Sequence, residues 1–350
     1  MRNSNPFNYR VFSAVKLQQL NKILLGLPSL ATQIKINLKK FFGIIFFTTG
    51  FFYILRFFYR NKLIVLTFHN PNHNEFEKQI KFIKKYYNPS TLNELYNYYY
   101  KNRRLPKYSL LLTFDDGYKN VKTFVEPILN KYGVKAIVFV PTGFINDKVF
   151  SWWDVIEYAL VNTYNDHIVI NDMNYKIDGK IIDNLIEKFS RIIKRGNENL
   201  KQRIVSEILE QTGVTLPNKV PEKYQFLRWK DIRNSSMDYG SHTVTHPILT
   251  YLNKKNIRKE LFDSKKHLEL NLGKPIISFC YPNGDYNELV LKEVKSSGYK
   301  IAFSTRFGFC DNNSNPLALK RISINQLDDV GVLSMKICGL FNILKISKIV

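Results

Sequence analysis

From residue 62 onward, short apolar segments alternate with amphipathic helical segments, and this alternation predicts an α/β fold of parallel βα units. The apolar segments are too short for core helices and end abruptly, so they read as buried strands. Acids and histidines stand directly after several of them, in "LLLTFDDG" (110–117) and "MDYGSH" (237–242). In parallel α/β folds the strand C-termini share one face, and that is where sites gather.

The elements follow in order. With 350 residues, 45% of them hydrophobic and 14% aromatic, the chain has enough for one large α/β domain or two smaller ones with a sizeable core. The first acid is Glu75, and ten Lys or Arg precede it. Within this arm, residues 1–61, the stretch "FFGIIFFTTGFFYILRFFY" (41–59) is apolar apart from Arg56. It approaches the ~20 residues that span a bilayer. Arg56 can snorkel to an interface, and Lys39 and Lys40 flank the other end. The arm therefore reads as a membrane-spanning or membrane-surface helix with a basic skirt, or as a helix packed on the domain that follows. The formal net charge of +23 points to an anionic partner, a membrane surface or an acidic polymer, or else only solvates the surface. No basic run interleaves with aromatics as in a nucleic-acid module, so no nucleic-acid partner is expected.

"KLIVLTF" is a strand ending at His69, and 75–87 is a helix with Phe76, Ile80 and Ile83 on one face. "SLLLTF" (109–114) is a second strand, and the helix after it closes on Gly133. "KAIVFV" (135–140) is a third strand. The section of about 151–225 then breaks the rhythm and reads as an insertion. It holds a hairpin about Asn171-Asp172 and amphipathic helices near 181–195 and 198–210. The βα rhythm resumes with "MDYGSH", a helix near 254–271, "IISFCYP", a helix near 286–297, "KIAFST" and "LKRISIN". Residues 331–350 read as a C-terminal tail. Cys280, Cys310 and Cys338 are an odd, sparse set without CxxC spacing, neither a disulfide framework nor a zinc knuckle.

Asp115 and Asp116 are adjacent, and neighbouring buried carboxylates repel. A cation resolves this. His242 and His246, four apart, can present both imidazoles on one side over a helical turn, a spacing that suits a divalent metal. The HxxxH spacing alone is common, and it lacks the Glu of a zincin. Its position after a strand, on the face that carries Asp115 and Asp116, raises its weight. Asp116, His242 and His246 then form a three-ligand metal site with an open position, and Asp115 is the general base on a metal-bound water. The competing role for the acids is to cap the following helix.

"TFDDG" followed by "SHTVTH" resembles the polysaccharide deacetylase family, also called the NodB-homology or carbohydrate esterase family 4 domain. The resemblance covers most of residues 62–325 and includes "VLTFH", "VKAIVFVPTGFI", "SWWD", "SFCYPNGDYNE" and "LKRISI". It implies a distorted (β/α) barrel of the NodB-homology type over 62–330, here with a helical and hairpin insertion and an N-terminal apolar helical arm. It also implies a divalent metal, most often Zn2+, and hydrolysis of an N-acetyl group on an amino sugar. By motif match, Asp115 is the base and Asp116, His242 and His246 are the ligands. The family's Arg-x-Pro-aromatic-Gly segment corresponds to "CYPNG": Pro282 and Gly284 are kept, Cys280 stands at the Arg position and Asn283 at the aromatic one. Tyr281, Pro282 and Asn283 are thereby expected on the oxyanion side of the groove, with the backbone N–H of Asn283 as a donor. Arg321 is the candidate to replace the missing Arg from a neighbouring strand end.

The family's late catalytic histidine has no counterpart, because no His follows His267. His69 is the candidate general acid, or else a histidine packed at a strand end. His73, His167 and His267 are expected on exposed faces. Trp152 and Trp153 either stack on sugar rings or pin the insertion. Cys280 is expected to be a small buried residue rather than a ligand. The expected function is therefore metal-dependent removal of N-acetyl groups from a polysaccharide or lipid-linked glycan, by a membrane-associated protein or alternatively a cytoplasmic one. The rivals are a C–N hydrolase acting on a small cyclic amide or ureide, and an inactive glycan-binding or scaffold protein.

Overall fold

The computed structural model describes residues 37–38, 41–43, 45–146, 149–179 and 181–343. It divides into two units. The smaller comprises Phe150–Asn218, and the larger Asn37–Val149 together with the chain from Lys219 on.

The larger unit opens with helices α1 (Phe41–Thr48) and α2 (Phe51–Phe58). Then follow β1 (Ile64–Phe68), α3 (His73–Tyr86), β2 (Asn88–Pro89), α4 (Leu92–Tyr100) and β3 (Ser109–Phe114). A π-turn at Val121–Val125 leads into α5 (Glu126–Lys131), followed by β4 (Ala136–Val140). The smaller unit holds α6 (Trp152–Asn162), β5 (His167–Ile170), β6 (Met173–Lys176), α7 (Ile182–Lys194) and α8 (Glu198–Thr212). The larger unit resumes with α9 (Trp229–Arg233), β7 (Asp238–Ser241), α10 (Lys254–Leu272), β8 (Ser278–Cys280) and α11 (Glu288–Ser296). It ends with β9 (Ile301–Phe303), β10 (Ile322–Ser323), α12 (Val330–Ile337) and α13 (Leu340–Ile343).

The strands of the larger unit form one parallel sheet in the order β10-β1-β3-β4-β7-β8-β9, with β2 pairing on β3. Leu319 bridges in parallel to Phe303 of β9, and three residues later Ile322 pairs with Leu66 of β1. One short segment thus touches both edges of the sheet and closes it into the expected distorted (β/α) barrel. Alternation along the strands sorts the side chains. Val65, Leu111, Ile137, Phe139, Cys280, Ile301, Phe303 and Leu319 pack together in one apolar cluster, the barrel interior. Leu66, Phe68, Leu112, Phe114, Val138, Phe279 and Ala302 pack in a second cluster with Ile80 and Ile83 of α3 and Ile257 and Leu261 of α10, the helix layer. Gly240 of β7 has no room for a side chain, because a Cβ would lie 2.5 Å from Ser278 Oγ.

The smaller unit is the expected insertion. Its hairpin turns at Asn171 and Asp172, both with positive φ, and its helices close over Ile168, Ile170, Phe189, Ile204 and Ile208. At the ends of the chain, one expectation needs correction and one choice between alternatives is made. Residues 331–343 are not a tail: α12 places Leu333, Ile337 and Cys338 in the main core, and the Tyr87 hydroxyl donates to the Ile337 carbonyl at 3.1 Å. Of the two readings of the arm, its described residues show the helix packed on the domain that follows. Phe52 is fully buried against Phe82 and Tyr86, and Arg56 lies 3.5 Å over the Tyr108 ring while donating to the Tyr86 carbonyl. Among the described residues no single helix is long and apolar enough to cross a membrane, and α1 and α2 meet at a 77° bend. Residues 1–36, Lys39 and Lys40 of the expected basic skirt lie outside the described residues.

Candidate active site

The barrel alternation that buries Leu111 also turns Thr113 and Asp115 inward at the C-terminal end of β3. The same parity carries Thr67 and His69 inward from β1, Arg321 from the closing segment, and His242 from β7. The inward-facing polar groups therefore converge above an apolar floor.

Asp115 and Arg321 form the buried centre of this cluster; Arg321 is 1% exposed. Arg321 Nη1 donates to Asp115 Oδ1 at 2.8 Å and Nη2 to Asp115 Oδ2 at 2.7 Å, a two-pronged ion pair. Burial alone would raise the Asp115 carboxyl, but the charge and hydrogen bonds of Arg321 outweigh it and hold the group well below the usual carboxylate range. Arg321 Nε donates to the Ser304 carbonyl at 2.9 Å, and Nη1 also donates to Thr113 Oγ1 at 3.1 Å. His69 is half-exposed, with Nε2 at 3.9 Å from Asp115 Oδ2.

Asp116 leaves the strand with φ 70, and Gly117 follows with φ 69. These two left-handed residues turn the second carboxylate away from the first. Its Oδ1 lies 3.6 Å from His242 Nε2 and 3.6 Å from His246 Nε2, and the two Nε2 atoms are 3.2 Å apart. A point equidistant from these three atoms lies about 2 Å from each, the length of a zinc–nitrogen or zinc–oxygen bond. His242 Nδ1 donates to the Cys280 carbonyl at 2.7 Å, which leaves the Nε2 lone pair free for an ion. Burial lowers the His242 pKa against the opposing pull of Asp115 and Asp116, so the ring is held in its ligating neutral form. The donor set fits a divalent metal. Asp115, His242 and Cys280 also cluster. They suit an ion less well, because both Asp115 oxygens are taken by Arg321 and burial keeps the Cys280 thiol protonated.

The two histidines do not sit on a helical turn, as their spacing predicted. They flank a loop after β7 in which Thr243 and His246 have φ of 68 and 57. Thr243 Oγ1 accepts from the His246 N–H at 3.0 Å. Glu260 of α10 accepts from the N–H groups of Val244 and Thr245 at 2.7 and 3.0 Å and from the Thr245 hydroxyl at 2.8 Å. Glu260 is a loop-holding residue that no motif signals, since its role depends on α10 lying beside the loop.

The other expected residues divide. Pro282 and Asn283 follow β8 in a short turn, with Asn283 at φ 57 and its side-chain amide donating to Asp285 at 2.5 Å. Tyr281 is corrected: it is fully buried, stacks on Tyr286, and donates its hydroxyl to the Leu317 carbonyl at 2.7 Å, so its side chain belongs to the core. Trp152 and Trp153 lie in the smaller unit, where they form an edge-to-face pair and Trp152 packs on that unit's own core. His73, His167 and His267 are exposed, as expected. All three cysteines are free and buried.

A family profile described as polysaccharide deacetylase matches residues 102–171 and 222–302. A poly-beta-1,6-N-acetyl-D-glucosamine N-deacetylase of Staphylococcus aureus (strain NCTC 8325 / PS 47) is 24% identical over 257 residues, covering 73% of this chain and 68% of the relative. Among solved structures, the chain resembles the Streptococcus pyogenes deacetylase PplD in complex with acetate, with TM-score 0.53 and 20% identity over 79% of this chain and 98% of that one. It also resembles IcaB from Ammonifex degensii, with TM-score 0.51 and 16% identity over 78% of this chain and 97% of that one.

Proposed function

The chain is a member of the polysaccharide deacetylase family of hydrolases, and from that premise we propose that it removes N-acetyl groups from the amino sugars of a glycan. The observation that carries the reading is the pairing of two sites on one strand end: Asp115 on Arg321, and Asp116 with His242 and His246. Asp116, His242 and His246 would hold a divalent ion, zinc by donor type, whose Lewis acidity activates water and polarises a carbonyl.

This chain's own residues then divide the work. Arg321 keeps Asp115 ionised across the neutral range, so Asp115 accepts a proton from the attacking water and does not supply one. The carboxylate gives up basicity for this, but it is always in the accepting form. His69 faces Asp115 and is open to solvent, which supports a role for it as the acid that protonates the leaving amine. The N–H of Asn283 is the candidate donor to the developing oxyanion. Acetate and a free amine leave. The substrate class that the relatives favour is an N-acetylglucosamine polymer, because the Staphylococcus aureus protein is named for one.

The arm supports a second element of the reading, contact with a membrane surface. Phe41, Phe42, Phe51, Ile54, Phe57 and Phe58 are all more than half exposed on α1 and α2. The 77° bend between the helices favours lying on a bilayer over spanning one.

Metal content and acetate release together test the enzymatic reading. Wild type and a His242→Ala/His246→Ala variant are offered an N-acetylglucosamine oligomer and a membrane glycolipid extract. About one metal per chain with acetate release, both lost in the variant, is the expected result. Bound metal with activity only on a soluble ureide would move the reading to another C–N hydrolase.

A further inference from the structure

Cys280 sits where the two halves of the site meet. Its backbone carbonyl accepts from His242 Nδ1 at 2.7 Å. Its sulfur lies 3.1 Å from Arg321 Nη2 and 3.5 Å from Asp115 Oδ2. The side chain is fully buried on the barrel interior, so no water competes for these contacts.

The guanidinium has five N–H donors, and each has an acceptor in the structure. Nε goes to the Ser304 carbonyl, Nη1 to Thr113 Oγ1 and Asp115 Oδ1, and Nη2 to Asp115 Oδ2 and Cys280 Sγ. The sulfur supplies the fifth acceptor. A larger side chain at 280 would occupy the seat of the guanidinium, and an apolar one would leave a buried charged donor unmatched, which is costly. A thiol is small enough to admit Arg321 and polar enough to accept from it.

We propose that Cys280 is a positioning residue for the reaction: its sulfur completes the cradle that holds Arg321 two-pronged on Asp115, while its carbonyl sets the ring of His242. The inference rests on the deacetylase reading for its catalytic consequence, but the contact itself can be tested without turnover. It requires no change in the charge state of any group.

The test is a double-mutant cycle on the full chain, with Cys280→Ser, Cys280→Ala and Cys280→Val each in the wild-type and Arg321→Met backgrounds. Acetate release and urea unfolding are both measured. Serine keeps a small acceptor, alanine removes it without adding bulk, and valine removes it and adds bulk against the guanidinium. Cys280→Ser is expected to hold kcat within about threefold of wild type. Cys280→Ala is expected to lower kcat roughly five- to tenfold with KM unchanged, the size of one lost hydrogen bond, and Cys280→Val, which also crowds Arg321, at least as much. In the Arg321→Met background, replacing Cys280 by Ala should change neither kcat nor the unfolding midpoint further. Full activity in the alanine and valine variants would overturn the proposal. So would equal losses in all three variants, which would make the role one of packing alone. Additive effects of Cys280→Ala and Arg321→Met in both measurements would also overturn it. Wild type that releases no acetate while the unfolding cycle still shows coupling would sink the deacetylase reading and leave the Cys280–Arg321 contact standing.

Discussion

Asp115 and Asp116 are neighbours in sequence but not in partnership. The left-handed backbone at Asp116 sends the two carboxylates to different partners, the Arg321 guanidinium for the first and the His242 and His246 imidazoles for the second. Each escapes the repulsion that adjacency would impose. The Arg321–Asp115 pair is buried on both sides, so removing the guanidinium strands a carboxylate away from water. Arg321→Met should lower unfolding stability at neutral pH by about 3–5 kcal/mol, read by urea denaturation. The sign with pH follows from the depressed Asp115 pKa. Its stabilising contribution is present above the unfolded Asp value of ~3.9 and is lost as pH falls through that value toward the folded one. The gap between wild type and variant should therefore be widest near neutrality and narrow as Asp115 takes up its proton. Without Arg321, burial pushes the carboxyl up, so the acidic limb of the kcat/KM profile should move to higher pH. A stability gap independent of pH would assign Arg321 a packing role only.

At the scale of elements, the loop that carries His242 and His246 has no regular structure of its own. Glu260 holds it from α10 through three hydrogen bonds, so ligand geometry is set by the seating of a helix on the barrel. Glu260→Ala should weaken metal affinity by about 10–100-fold, the usual cost of losing a support behind a ligand. A competition titration with a metal-sensitive dye measures this. Unchanged affinity would mean that the Thr243 hydroxyl, which accepts from the His246 N–H, holds the loop by itself.

At the scale of the whole molecule, the arm combines an inner face built into the main core with an outer face rich in exposed phenylalanine. Arg60 lies over the Phe57 ring and Lys85 over the Tyr86 ring, so cations border the apolar face. Vesicles of mixed phosphatidylglycerol and phosphatidylcholine should therefore co-sediment the full chain, and salt should weaken the binding. Phe51→Ser/Phe57→Ser/Phe58→Ser changes only exposed side chains and should abolish sedimentation without lowering the unfolding temperature. Binding that survives the triple substitution would reject this face as the contact.

Local order determined much of this protein. The apolar runs around Leu66, Leu112 and Val138 marked their strands, because a strand covered on both faces leaves an unbroken apolar record. The Asn171-Asp172 hairpin was readable because a tight turn needs residues that tolerate positive φ. "TFDDG" and "SHTVTH" marked the candidate ligands, because a divalent ion needs carboxylate and imidazole donors. The segment of α12 reads as part of a tail, since its apolar residues bury against partners distant in the chain. The sequence nominates Arg321 to replace the missing Arg, but only the tertiary structure shows it two-pronged on Asp115, 206 residues away. The same holds for Tyr281 facing the core, for Glu260 holding the histidine loop, and for Phe52 and Arg56 tying the arm to the domain. A sequence records what each residue needs from its own neighbours. Which distant side chains satisfy a buried charge or an orphaned loop is settled only when the sheet closes and brings its two edges together.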